Sequence, residues 1–277
     1  FYVIYLPYKQ QTEEVMTRKL GINIESLGLE GEKAVDIIAN AGFDCVFTDK
    51  CDIATVERYA DKCKSRGLEL QFLHSPFFDI NSMWLPGDAY KVNYNAVKEA
   101  VDSAAACSIE AVIVHISQGW YPPEICDAGL ARYDELVDYA AKKGVLIAFE
   151  NLRKTGNVAY FVDRYEKAEN VVFCYDCGHE HCYTERICFP DIFGSKMAYT
   201  HIHDNFGRSK DDYYGDPDLH LMPFYGNIDY KRVMRKLDEY EYAGSLMLEL
   251  SIARHPEKTP EQFAEEAFEA IKRISRM

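Results

Sequence analysis

Positive charge is scarce in this chain: 31 Lys and Arg stand against 45 Asp and Glu in 277 residues, a formal net charge of −14. So acidic a surface repels phosphate backbones and disfavours a nucleic-acid partner. Long apolar runs are missing too. No eighteen apolar residues are contiguous, and the opening FYVIYLPYKQ has no basic n-region and no small-residue cleavage site. The expectation is a soluble cytoplasmic protein with no membrane contact. Cysteine is not clustered as in a disulfide framework. The nine, an odd number, are spread through apparent helices and strands such as Cys45, Cys63, Cys107 and Cys174, as expected of buried thiols in a reducing compartment. The spaced pair Cys174 and Cys177 reads the same way. No linker or low-complexity tract breaks the chain, so residues 1–277 are expected to form one domain. The role of 1–19, in closure of the fold or in a homo-oligomer contact, stays open.

What the chain has instead is a steady alternation. Eight apolar runs read as strands, at 20–26, 44–49, 68–75, 110–117, 144–150, 170–176, 196–204 and 244–250. Between them apolar residues recur at helical spacings, as in Ala34, Val35, Ile37, Ile38 and Ala41, or Ile53, Val56, Tyr59, Ala60 and Cys63. Gly42, Gly67 and Gly144 stand where helices should stop. Nearly continuous apolar strands alternating with helices predict a parallel sheet buried on both faces. Eight units of about 35 residues fit a (β/α)₈ TIM barrel. The rival, an open doubly wound sheet, calls for a Gly-rich turn after the first strand, and ESLGLEG at 25–31 is a poor match.

Residues able to hold a metal collect at the carboxyl ends of these strands. They are His74 on the third, His115 on the fourth, Glu150 on the fifth and Asp176 on the sixth, with His179 three residues on. His201 and His203 lie on the seventh and Glu249 on the eighth. In a barrel these ends converge on one mouth. With period two, Leu146, Ala148 and Glu150 share a face, as do Val172, Cys174 and Asp176, and Ser245, Met247 and Glu249. An acid buried at the end of an inward apolar face needs compensation. Three such acids and a histidine around one point suit a divalent cation: manganese, zinc, cobalt or magnesium. Phe72, Phe77, Trp84 and Trp120 are aromatic candidates to line the mouth, and Gly226 in FYGNIDY would admit a close backbone approach there.

At LHSPF (73–77), AFEN (148–151), YDCGH (175–179), HIHDN (201–205), DLHLMPFYGNIDY (218–230) and LEL (248–250), the sequence resembles a known superfamily. It is the xylose-isomerase-like (β/α)₈ group of sugar isomerases and epimerases, which also contains the endonuclease IV proteins. The resemblance implies that Glu150, Asp176, His201 and Glu249 hold one divalent ion, with His203 a rival to His201. It also implies that His179 binds substrate oxygen and that Arg208 holds a substrate hydroxyl. In the chemistry so implied, a metal chelating the carbonyl and adjacent hydroxyl of a sugar or sugar phosphate stabilises an enediolate. Glu150 and Glu249 remove and return the carbon-bound proton, giving an isomerase or epimerase. A lyase or dehydratase acting on a sugar-derived ketone starts from the same proton abstraction.

The endonuclease IV branch implies something different, a trinuclear zinc phosphodiesterase acting on abasic DNA. Its nine ligand positions all find a matching residue type in His74, His115, Glu150, Asp176, His179, His201, Asp218, His220 and Glu249. Charge separates the two branches. The loop at 204–219 has five acids (Asp204, Asp211, Asp212, Asp216, Asp218) against Arg208 and Lys210, whereas a DNA-facing loop should be net positive. Lys50, Arg153, Lys154, Arg186 and Arg254 are scattered, enough for one small phosphate and not for a duplex groove. The sugar reading is therefore favoured over the DNA reading.

Overall fold

Strands without a polar face can be buried only between helices, and the computed structural model, which describes residues 17–184 and 186–277, arranges them so. The first half runs β1 Leu20–Asn23, α1 Gly31–Ala41, β2 Cys45–Thr48, α2 Ile53–Arg66, β3 Glu69–His74, α3 Lys91–Ala106, β4 Ala111–Val114 and α4 Asp127–Lys143. The second continues with β5 Leu146–Glu150, α5 Thr155–Arg164, β6 Val171–Asp176, the single turn α6 Cys177–His179, and α7 Phe189–Phe193. It ends with β7 Met197–His201, α8 Tyr230–Glu239, β8 Leu246–Leu248 and α9 Pro260–Ile274. The paired strands are parallel, in the order β7-β6-β5-β4-β3-β2-β1-β8. A narrow seam closes the ring. Ile202, just past β7, bridges Leu248; its amide donates to Met247 O at 2.8 Å, and the Glu249 amide donates back to Ile202 O at 3.1 Å. The fold is the (β/α)₈ TIM barrel that the alternation predicts.

Local chemistry sets the helix ends. α2 starts on Asp52, whose carboxylate accepts from the Thr55 amide at 3.0 Å, and stops at Gly67 in the left-handed region (φ 74°). Most apolar side chains pack between helices and strands, and a smaller cluster fills the barrel itself: Cys45, Phe47, Phe72, Ala111, Ile113, Ala148, Cys174, Tyr199 and Met247. Ala148 and Cys174 point inward as period two requires, so Glu150 and Asp176 do the same one step higher. The stacked rings of Phe47 and Phe72, 4.7 Å apart, form an apolar floor, with the His201 ring 5.1 Å from Phe47.

Some expectations change. β1 stops at Asn23 because its side chain accepts from the Glu25 amide at 2.7 Å and turns the chain into a 3₁₀ turn over Ile24–Leu27. Trp84 does not line the mouth: its Nε1 donates to Ile116 O at 2.7 Å and its ring packs against Tyr133 and Phe161 in the helical layer. Phe72 belongs to the floor. Residues 1–16 lie outside the described residues, but Arg18 and Lys19 take part in closure. Arg18 Nε donates to Tyr242 O at 2.8 Å, and Lys19 O accepts from the Leu246 amide at 2.9 Å. The nine cysteines are free. Among the described residues no helix is long and apolar enough to cross a membrane.

Phe72 is fully buried in the barrel interior, so Phe72→Ala is expected to lower stability by about 3–5 kcal/mol. Urea denaturation would register this as a lower midpoint at unchanged slope; an unmoved midpoint contradicts the packed interior.

Candidate metal centre

The inward faces of the last four strands end in polar residues: Glu150 on β5, Asp176 on β6, His201 on β7 and Glu249 just beyond β8. His201 Nδ1 lies 3.4 Å from Glu150 Oε1, 3.3 Å from Glu249 Oε2 and 3.8 Å from Asp176 Oδ2. One donor atom from each of the four falls within 4.8 Å of all the others. Glu150, Asp176 and His201 are wholly buried, yet Glu150 Oε1, Asp176 Oδ2 and both His201 nitrogens have no hydrogen-bond partner. Each such orphan costs about 1–3 kcal/mol, and one imidazole cannot neutralise three carboxylates. The donor set therefore fits a divalent cation, which would satisfy these atoms together. Burial pushes the Glu150 carboxyl upward, but His201, His115 and His179 outweigh it and hold the group well below the usual carboxylate range. Cys174 borders the set, and burial pushes its thiol up to about 12.

Two further groups flank this one. His74 Nε2 and His115 Nε2 lie 3.3 and 3.1 Å from Glu150 Oε2. On the other side Asp218 Oδ2 is 3.1 Å from His179 Nε2 and 3.2 Å from His220 Nε2, while His203 Nε2 is 3.2 Å from Asp176 Oδ1 and 3.5 Å from Asp218 Oδ1. Burial opposes charge on both Asp218 and His220, and their mutual attraction prevails: the carboxyl is drawn well below its ordinary range and His220 is pushed up to about 10. His74, His179 and His220 share one orientation. Nδ1 of each donates to a carbonyl, that of Ser75 (3.1 Å), Asn151 (3.0 Å) and Glu249 (3.0 Å), so that Nε2 is turned into the site. This is how backbone carbonyls orient imidazoles toward metal. The structure thus gathers all nine positions named from the sequence into adjoining groups. His201 joins the carboxylate trio, His203 the outer group, and Glu150 offers one oxygen to each of two groups.

Residues 35–274 match the family described as the xylose isomerase-like TIM barrel. The chain belongs to that family. A relative, the uncharacterized protein MJ1311 of Methanocaldococcus jannaschii, is 26% identical over 204 residues, covering 68% of this chain and 67% of that protein. Among solved structures, L-ribulose 3-epimerase has a TM-score of 0.73 at 14% identity, over 94% of this chain and 95% of that one. D-allulose 3-epimerase from Methylomonas sp., solved with D-allulose, has a TM-score of 0.71 at 18% identity, over 94% and 98%. At such identities the likeness is one of fold.

In this xylose isomerase-like barrel, several residues outside the candidate ligands hold them in place. Asn151 ties β5 to β6: its Nδ2 donates to Asp176 O and its Oδ1 accepts from the Asp176 amide, both at 2.8 Å, while its carbonyl fixes His179. Gly178 is required because any Cβ there would overlap the His203 ring, and Gly226 because one would overlap the Asn205 carbonyl. His220 itself has left-handed backbone (φ 46°), a strain of about 1 kcal/mol or more. Asp204 is buried and accepts from the amides of Asn205, Phe224 and Ile228 at 2.9, 2.8 and 3.2 Å, so it shapes the loop and does not face substrate. Asn151 and Gly178 lie inside the AFEN and YDCGH motifs, beside the acids Glu150 and Asp176.

The mouth is a cavity of about 270 Å³ whose walls include Phe77, His115, Arg153, His179, Asp218, His220 and Glu249. Phe77 lies 4.1 Å from the His115 ring. Arg208, the expected hydroxyl holder, is packed instead over Trp120 and Tyr213, with Nε donating to Tyr213 O at 3.0 Å. The guanidinium in the cavity wall is that of Arg153. Glu249 opens on the cavity, whereas Glu150 is fully covered.

Gly178→Ala is expected to force its added methyl against the His203 ring and to lower stability by about 1–3 kcal/mol. Urea denaturation measures it, and an unmoved midpoint would mean that the His203 ring is free to move aside.

Proposed function

We propose that this protein is a divalent-metal-dependent isomerase or epimerase of a sugar or sugar phosphate. Glu150, Asp176, His201 and Glu249 hold the ion, and Glu150 and Glu249 act as acid and base. The observation that carries this reading is the oxygen-rich group of buried, partnerless donors beneath a cavity of about 270 Å³, a space for a small polar molecule. An ion held there supplies Lewis-acid polarisation of a substrate carbonyl and its adjacent hydroxyl. Glu249, on the cavity wall, takes the carbon-bound proton and returns it. His179 and His115, also on the wall, orient substrate oxygens, and Phe77 offers an apolar face to the carbon skeleton. Glu150 lies beneath His115 and His179, so its share in proton transfer passes through the groups that cover it. The sugar epimerases among the structurally similar proteins support a sugar as the substrate class.

One observation favours a second reading, a trinuclear phosphodiesterase. Glu150 points Oε2 toward His74 and His115 and Oε1 toward His201, and the outer group of His179, His203, Asp218 and His220 adds a third set of donors, which supports this reading. The acidic loop also counts less against it than the sequence implies. Asp204 is engaged by backbone amides and Asp218 by imidazoles, which leaves Asp211, Asp212 and Asp216 against Arg208 and Lys210 in the loop's charge balance.

Elemental analysis of the metal-loaded protein separates the two, with one ion per chain expected and three, together with cleavage of an abasic duplex, overturning the isomerase. In heavy water, Glu249→Gln and Glu150→Gln are each expected to slow exchange of the ketose carbon-bound proton by about a hundred- to ten-thousand-fold, followed by NMR. Wild-type exchange in both variants would remove the two glutamates from the chemistry.

A further inference from the structure

We infer that Arg153, held against Tyr183 and Trp120 in the wall of the mouth, is the recognition site for an anionic oxygen group, phosphate or carboxylate, on the substrate. The sugar identity of that substrate rests on the function proposed above; the anion site does not.

Arg153 stands three residues past Glu150, on the loop from β5 to α5, and lines the same cavity as Glu249 and His179. A molecule reaching the acid group at the floor therefore meets the guanidinium at the wall. Its Cζ lies 4.0 Å from the Tyr183 ring centroid and 5.1 Å from that of Trp120, and the side chain is only 19% exposed. Aromatic faces hold a guanidinium flat and pre-set its planar fork. Arg208 lies 4.0 Å from the same indole and brings a second positive charge beside it. The neighbouring base Lys154 is occupied by Glu124 at 2.7 Å.

The fork is under-used. Of its five donors, Nη2 meets Asp216 Oδ1 at 2.9 Å, while Nε is buried with no partner. Asp216 is 71% exposed, and its other neighbours, the Tyr183 hydroxyl and the Asp218 amide, are long at 3.5 and 3.4 Å. An ion pair whose carboxylate is this open to water is weak. A phosphate or carboxylate that engages two donors of the fork is held more strongly. Asp216 thus occupies, as an internal carboxylate, the position of the substrate's own anion, and yields it on binding. A neutral hydroxyl has no need of this arrangement, since imidazoles and carboxylates already line the rest of the wall.

The test uses the metal-loaded full chain as wild type, Arg153→Met, Arg153→Lys and Asp216→Asn, each checked for metal content and melting temperature. Inorganic phosphate is titrated by calorimetry. Binding should weaken at least tenfold in Arg153→Met, fall less in Arg153→Lys, and tighten several-fold in Asp216→Asn. Proton exchange in heavy water is compared for a ketohexose, its 6-phosphate and the corresponding keto-uronate. The ratio of kcat/KM for the charged over the neutral sugar should drop at least tenfold in Arg153→Met. A drop for the phosphate alone identifies phosphate as the anion, and a drop for the uronate alone identifies carboxylate. Phosphate binding equal in wild type and Arg153→Met, with that ratio unchanged, overturns the inference and leaves the isomerase standing. Arg153-dependent phosphate binding without exchange of any sugar proton supports the anion site and counts against the isomerase. Should Arg153→Met fail to fold, wild-type phosphate affinity in both Arg153→Lys and Asp216→Asn also overturns it.

Discussion

Three carboxylates, those of Glu150, Asp176 and Glu249, surround a single imidazole above the packed interior of a closed barrel, and the rest of the site is organised by that concentration of negative charge. Two unit charges 4 Å apart repel by about 4 kcal/mol even at an effective dielectric of 20. The protein concentrates histidines around the carboxylates in response. Imidazoles flank Glu150 on both sides, and His74, His179 and the outer His220 have Nδ1 committed to backbone carbonyls so that Nε2 faces the acids. Below, the Phe47 and Phe72 rings supply no polar partner, so compensation must come from the mouth.

Closure of the barrel and placement of the donors depend on the same hydrogen bonds. β7 and β8 meet through Thr200, whose Oγ1 donates to Ser245 O and accepts from the Met247 amide, and through Ile202 just past β7, which bonds Met247 on one side and Glu249 on the other. Ile202 lies between His201 and His203 in sequence, with its own side chain packed in the main core. The seam that joins the seventh strand to the eighth therefore sets two imidazoles and one carboxylate at once. Arg18 and Lys19 anchor the far end of β8, which makes the register of Glu249 a property of the whole ring.

Much of this was legible in the sequence because the relevant periods are short. Period two located Glu150, Asp176 and Glu249 on inward faces, and barrel geometry brought the strand ends together. What stayed hidden depends on loops crossing one another. Trp84 and Trp120 look equivalent in sequence, but a 3₁₀ turn over Ile80–Trp84 carries the first into the helical layer. Arg208 has the expected place after the seventh strand, yet Tyr213 and Trp120 capture it, leaving Arg153 in the cavity. A loop's formal charge likewise says little until its acids are sorted by direction, as Asp204 and Asp218 turn inward.

Burial divides the two glutamates that sequence treats alike. Glu150 has both oxygens directed at imidazoles and none at the cavity; Glu249 keeps a carboxylate oxygen in the wall. Within the proposed chemistry, a proton can therefore be taken and returned by Glu249 on one face of the substrate without help. Moving a proton between neighbouring carbons on one face interconverts aldose and ketose. Within that proposal, inverting a carbon demands a second group on the opposite face, and His115 and His179 in the cavity wall, with Glu150 behind them, are its candidates. Both nitrogens of His179 are engaged, by the Asn151 carbonyl and by Asp218, so it is His115, 3.1 Å from Glu150 Oε2, that would pass a proton on to the buried glutamate.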